Sequence, residues 1–357
     1  MSWLLAFLGF ALLIILHELG HFTAAKAVGM RVERFALFFP PLVFRKKWGE
    51  TEYAIGAIPL GGYVKLTGQN PHEEIAPELE HRGYFRQPVW KRIVVIAAGP
   101  AVNIVLAFLI LFALVWSQGV REPTNRIEAI GAAPAKGVLQ AGDRLVEVDG
   151  VRGNFEALKA QIASHKCAGE QVNGCEAATP ARIVVSRDGT ERTLSLKPVY
   201  SADQDDMLVG FAVGTSDPRA IGPVDAADRS VSEMWFFTTK TVDTIAGIFD
   251  AQKREQISGV VGSYEATRQT IEISVERAVY LLAIISLSLG IINLFPFLPL
   301  DGGHIFWALA EKVRGRAIPF SVMERAGFVG FVLVIALFMI GFTNDVGRLT
   351  GEGFGVR

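Results

Sequence analysis

Four apolar stretches, each long enough to cross about 30 Å of hydrocarbon as a helix, set the frame for this chain. They run from about Trp3 to Met30, from Arg92 to Trp116, from Ala278 to Pro296, and from Ala326 to Phe342. The third continues past a Pro-Gly break. A positive mean hydropathy over 357 residues, half of them apolar, fits membrane spans joined to smaller domains better than one large soluble domain. The first stretch has no basic segment ahead of it, and Ala24-Ala25-Lys26-Ala27 leads into further apolar residues. It reads as a retained span, not as a cleaved secretory leader.

Lysines and arginines in the short connections orient the spans. Residues 31–92 carry ten of them, including Arg45, Lys46 and Lys47, and the connection before the fourth span adds Lys312, Arg314, Arg316 and Arg325. Both connections read as cytoplasmic, which puts the segment from Gly119 to Arg277 outside the cytoplasm. A net charge of −1 supplies no basic surface for nucleic acid, so none is expected as a partner. Two cysteines are too few for a disulfide framework or a Cys-ligated structural zinc site.

The first span contains His17-Glu18-Leu19-Gly20-His21. On a helix the two histidines share a face one turn apart, so both imidazoles reach one metal ion, and Glu18 stands beside them without being a ligand. Ionisable groups inside an otherwise apolar span are expensive and functional by default. The competing reading is a histidine pair hydrogen-bonded within the bundle, with Glu18 protonated. A catalytic zinc usually takes three protein ligands. The candidate for the third is Asp301, alone among apolar neighbours where Pro296, Pro299, Gly302 and Gly303 break the third stretch. Unwound backbone at membrane depth is tolerated only where it lines a cavity or is buried in protein. The alternative is an ordinary turn outside the membrane.

HELGHF at 17–22, Pro59 to Lys65, Gly99 to Asn103, and Asn293 to Gly303 resemble the motifs of the site-2 protease family of intramembrane zinc metalloproteases. The nearest type is the regulator of sigma-E protease (RseP). The resemblance implies a Zn2+ cofactor held by His17, His21 and Asp301, with Glu18 as general acid and base. It implies Asn293 as a group that holds substrate or the developing oxyanion; a cap or turn role at the broken helix is its rival. It also implies a place in the bacterial inner membrane and single-span membrane proteins as substrates, such as an anti-sigma factor or remnant signal peptides. Pro299 stands one residue later than the family pattern, with the Asn-to-Asp spacing intact.

Strand-like runs at Phe35 to Phe39 and Glu52 to Gly56, ending in Gly61-Gly62, match the family's re-entrant β-hairpin sheet. An unwound substrate adding to its edge is the expectation, against a plain basic loop with a Gly-Gly turn. Outside the membrane, Gly131 to Ala135, Gly137 to Gly142, and a strand ending at Asp149-Gly150 are similar to the bacterial PDZ pattern. A hairpin with Asp188-Gly189 at its turn follows. Such a domain takes an extended peptide or serves as a steric lid. Cys167 and Cys175 bracket a small loop that an oxidising compartment would close as a disulfide, two free thiols or, with His165, an adventitious metal site being the alternatives. Trp235 to Phe249 repeats at helical spacing, as an amphipathic helix on the membrane or against the PDZ domain.

The expected fold is an α-helical polytopic membrane protein with four transmembrane helices, a membrane-associated β-hairpin sheet and one external β-rich PDZ domain. Its parts are a membrane core over 1–118, the PDZ domain over 119–200, a linker with the amphipathic helix over 201–277, and a second membrane core over 278–357. Lipid is the surrounding partner. The rival functions are a non-catalytic membrane scaffold that recruits partners through the PDZ domain, and a transporter. The intact set of four catalytic-type residues speaks against the first, and the lack of two similar halves against the second.

Overall fold

A computed structural model describes residues 1–357 apart from 71–72, 132–133, 202–203, 205, 249, 251–253, 255–256 and 352–357. Ala132, Ala133 and Phe249 of the expected motifs, and the tail beyond Gly351, lie outside the described residues.

Four helices are long and apolar enough to cross a membrane, so the chain is a multi-pass membrane protein. Helix α1 covers Ser2–Ala27 and stops short of Met30, because Gly29 takes a left-handed φ of 83° that ends the helix. Helix α2, Val89–Gln118, starts directly after Pro88 and accommodates Pro100 in its interior. The remaining spans are the later helices α6, Val275–Asn293, and α8, Phe320–Thr350, the second longer at both ends than its apolar stretch.

Between α1 and α2 lie β1, Val32–Trp48, and β2, Thr51–Leu66. Each strand doubles back, so the pair makes a sheet of four segments. Val32–Leu37 pairs with Gly62–Leu66 on one side and, through Arg34–Glu52 to Leu37–Ile55, with the first part of β2 on the other. That part in turn pairs with Leu42–Trp48. The two outer segments, Gly62–Leu66 and Leu42–Trp48, are the edges. The sheet packs along α1. Phe22 meets Phe35 and Tyr53, while Phe38 lies 5.9 Å from Phe7 between ring centroids. The turn at Glu50 is held to the far end of α1 by Lys26 at 2.5 Å.

Residues 116–222 form a compact unit of their own. Its strands are β3 (Pro123–Ile130), β4 (Arg144–Val148), β5 (Val151–Arg152), β6 (Ala181–Arg187), β7 (Thr190–Leu196), β8 (Val199–Ser201), β9 (Asp206–Leu208) and β10 (Phe211–Thr215), with helix α3 over Phe155–Ala163. The main sheet runs β10-β3-β4-β6-β7, and β5 folds back on β4. Both Asp-Gly turns have positive φ at both residues, Asp149-Gly150 and Asp188-Gly189, which is the twist a two-residue hairpin needs. Leu145, Leu158, Ile183 and Val185 are its buried centre. Cys167 and Cys175 are joined as a disulfide, with Cα atoms 5.7 Å apart.

The other unit combines 1–115 with 223–357. Helix α4, Pro223–Ala246, belongs to it: Met234 and Phe237 pack on Ala107 of α2 and Leu287 and Ile291 of α6. Its partners are therefore spans. Helix α5, Val260–Ile273, is capped by a residue far away in sequence, the fully buried Asp345 of α8, which accepts from the Gly259 and Gly262 amides.

The break in the third stretch is tighter than expected. Helix α6 ends at Asn293 and helix α7, Asp301–Arg314, starts at Asp301, so Gly302 and Gly303 are helical residues. Their role is close packing. A Cβ on Gly302 would fall 2.1 Å from the Leu294 carbonyl oxygen, and one on Gly303 2.4 Å from the Leu298 nitrogen.

Candidate metal centre

Helical spacing on α1 stacks His17 and His21 on one face, each 8% exposed. Asp301 comes to them from the first turn of α7, where the helix N-terminus favours a carboxylate. The three donor atoms form a nearly equilateral triangle. His17 Nε2 and His21 Nε2 are 3.3 Å apart, and each lies 3.3 Å from Asp301 Oδ2. Among the described residues they are a group of His and carboxylate donors that can share one ion.

The protonation pattern tests whether a cation fits. His21 Nδ1 is 2.9 Å from the Val95 carbonyl oxygen on α2, which can only accept. The proton of a neutral His21 is thereby fixed on Nδ1, and its Nε2 presents a lone pair. That lone pair faces Asp301 Oδ2, another acceptor, which is buried and has no hydrogen-bond partner among the described residues. Acceptors turned toward one another in a buried site call for a cation between them. A 3.3 Å edge is the ligand-to-ligand spacing of a tetrahedron with bonds of about 2.0 Å, the length of zinc–nitrogen and zinc–oxygen bonds. Two histidines and one carboxylate also match zinc in donor chemistry and leave a fourth position open. The residues fit zinc.

Glycines let the elements close on this point. A Cβ on Gly20 of α1 would meet the Ala98 carbonyl oxygen of α2 at 2.5 Å, and one on Gly99 of α2 would meet His21 Nε2 at 2.2 Å. This close crossing brings Val95 within reach of His21. Gly62 of β2 comes against α1 as well, where a Cβ would lie 2.7 Å from Glu18 Cγ. Glu18 is partly buried on the neighbouring face of α1, under the sheet edge.

Of the residues singled out in the sequence, His17, His21 and Asp301 converge, and Glu18 adjoins them on α1. Asn293 lies at the break between α6 and α7. It ends α6, and its side-chain amide donates to the Leu289 carbonyl at 3.0 Å, one turn back. Sequence reading missed the Val95 carbonyl, because a main-chain acceptor leaves no mark in residue type. It noted Gly62 and Gly99 inside motifs without seeing what they approach.

Comparison with known proteins agrees with this chemistry. The model of peptidase family M50 matches residues 5–337. The zinc metalloprotease Rip1 of Mycolicibacterium smegmatis is 30% identical, over 89% of this chain and 88% of that protein. A provisionally named zinc metalloprotease of Rhizobium meliloti is 27% identical over 95% of both chains. Another from Campylobacter jejuni is 27% identical over 95% of this chain and 92% of its own length. This chain is a zinc metalloprotease and belongs to peptidase family M50, the site-2 protease family.

Proposed function

We propose that the chain is an intramembrane endopeptidase that cuts single-span membrane proteins within or at the edge of the bilayer. The observation that carries this reading is the convergence of His17 and His21, inside the apolar helix α1, with Asp301 at the start of α7, beside an open sheet edge at Glu18. A bound zinc would acidify a water and polarise the scissile carbonyl. The chain's own residues do the rest. Glu18 takes the proton from the attacking water and returns one to the leaving amine. The Val95 carbonyl keeps His21 in the tautomer that leaves Nε2 free. Asn293 turns its amide from Leu289 to substrate or to the oxyanion as charge develops there.

A helical substrate hides its peptide bonds, so it must unwind. The segment Gly62–Leu66 pairs on one side with β1, and its other side has no strand partner among the described residues. An extended substrate adds there as a further strand, with Gly62 bringing it past Glu18. The unit over 116–222 acts as a PDZ domain outside the cytoplasm of a bacterial inner membrane, filtering substrates by their trimmed ends. Its two Asp-Gly hairpins and buried sheet-and-helix core support that reading. Anti-sigma factors and remnant signal peptides have the required form.

The test is the position of the cut. Purified enzyme in proteoliposomes with a single-span reporter, analysed by mass spectrometry, should yield products ending within or beside the apolar segment. Cleavage confined to soluble flanks would overturn the intramembrane reading and leave a zinc protease of another specificity.

A further inference from the structure

The outer edge of the hairpin sheet, away from Glu18, has a different character. Leu42–Trp48 pairs with β2 on one side and with no strand on the other among the described residues. It carries Arg45, Lys46 and Lys47 in succession, all exposed. None of the three has an ion-pair or hydrogen-bond partner among the described residues. The acids nearest in register are already committed. Glu52, opposite Lys47, is held by Arg34 at 2.6 Å. Glu50, in the turn, is held by Arg82 at 2.7 Å and Lys26 at 2.5 Å, and these contacts, Arg82 first, hold its carboxyl down at about 2. Three adjacent positive charges are left without a counterion among the described residues.

Their depth says what neutralises them. The Lys26–Glu50 bond ties the turn to one end of the first span, while Phe38 packs on Phe7 near the other end, about 28 Å along the helix axis. From the depth of Phe38 the chain returns through Leu42, Val43 and Phe44 and reaches the cations last. Arg45 to Trp48 cover roughly 10 Å of strand just below the turn, a span comparable with the headgroup layer. Val43 is 74% exposed and Phe44 56% below the cations, and Trp48 is 79% exposed on their turn side, which suits a neighbour that is apolar below and anionic above. A soluble anion or acidic protein would leave Val43 and Phe44 in water. Tryptophan prefers the membrane interface, and lysine and arginine bind phosphate there.

We propose that Arg45, Lys46 and Lys47, with Trp48 beside them, form a docking site for the phosphate groups of anionic phospholipids. Lipid bound there fixes the depth of the sheet whose opposite edge carries Gly62. The proposal does not depend on the proteolytic reading.

The full-length protein in phosphatidylcholine nanodiscs containing a trace of dansyl-labelled phosphatidylglycerol or dansyl-labelled phosphatidylcholine tests it, by energy transfer from tryptophan. At least about fivefold enrichment of the anionic lipid is expected, falling as salt rises. R45Q/K46Q/K47Q should bring the two lipids to parity, whereas R45K/K46R/K47R should keep the enrichment. Zinc content equal to wild type shows that both variants are folded. Added inorganic phosphate should leave the enrichment in place. Wild-type selectivity in the glutamine variant would overturn the proposal, as would displacement of the lipid by free phosphate. The first would leave the edge to a second copy or a substrate strand, the second to a soluble anion.

Discussion

Gly62 of β2 lies against Glu18 of α1 so closely that a Cβ at position 62 would fall 2.7 Å from Glu18 Cγ and 2.9 Å from the Ala36 carbonyl oxygen. The backbone at Ala36 cannot move aside easily, so a methyl group here displaces either the sheet edge or the carboxylate. Gly62→Ala should lower cleavage on the order of a hundredfold, the cost of misplacing a reacting group by about 1 Å. Zinc content should not change, because no ligand is touched. Gly169→Ala, with nothing within 4 Å of the added carbon, should cleave like wild type. A reporter assay with metal analysis on all three proteins checks this.

The same substitution at Gly99 should act on the metal instead. Its added carbon would stand 2.2 Å from His21 Nε2, the donor atom itself. Gly99→Ala should weaken zinc binding about 10- to 100-fold, the range for disturbing the support of a ligand. Competition with a chelator reads this directly. Excess zinc should recover part of the activity in Gly99→Ala and none in Gly62→Ala.

These two contrasts show what the sequence conveyed and what it withheld. The spacing of His17 and His21, and the isolation of Asp301 among apolar residues, marked them as candidate ligands because charge inside hydrocarbon needs a reason, and the structure brings the three together. Hydropathy located the spans, and two Asp-Gly pairs located the hairpins. Spatial neighbours were not legible. The fold-back pairing of β1 and β2 rests on contacts between residues such as Leu37 and Gly62, far apart in the chain. Gly302 and Gly303 were read as breakers because glycine usually ends helices, yet here close packing on Leu294 and Leu298 puts them inside one. Asn293 carried a family motif, and the acceptor of its amide in the structure, the Leu289 carbonyl, is main chain and so left no mark in residue type.

Arg92 of α2 is 4% exposed and makes two bonds to Glu311 of α7, at 3.0 and 2.6 Å. This pair links the second span to the helix that presents Asp301. Arg92→Met leaves Glu311 without its counterion and should cost on the order of 3 kcal/mol. Arg92→Met/Glu311→Met, which removes both charges, should recover much of that loss. Unfolding curves in detergent for the two single variants and the double variant close the cycle.

In the 116–222 unit, Arg187 grips Asp143 with two bonds of 2.7 Å and holds its carboxyl below the usual value of 3.8. The unfolded chain then binds a proton more readily than the folded one. The stabilisation is complete above about pH 4 and fades as pH falls through the folded value. Asp143→Asn should remove this acid dependence. Hydrogen exchange of the β4 and β6 amides in the full chain, corrected for intrinsic rates and followed from about pH 5 to about pH 3, measures it.

The most direct measurement compares wild type with Glu18→Gln for zinc content and for cleavage of a single-span reporter in proteoliposomes. The variant is expected to keep its zinc on His17, His21 and Asp301 and to lose cleavage, since glutamine cannot take the proton from the attacking water. Equal cleavage by both proteins would contradict the central claim and return the chain to a non-catalytic role.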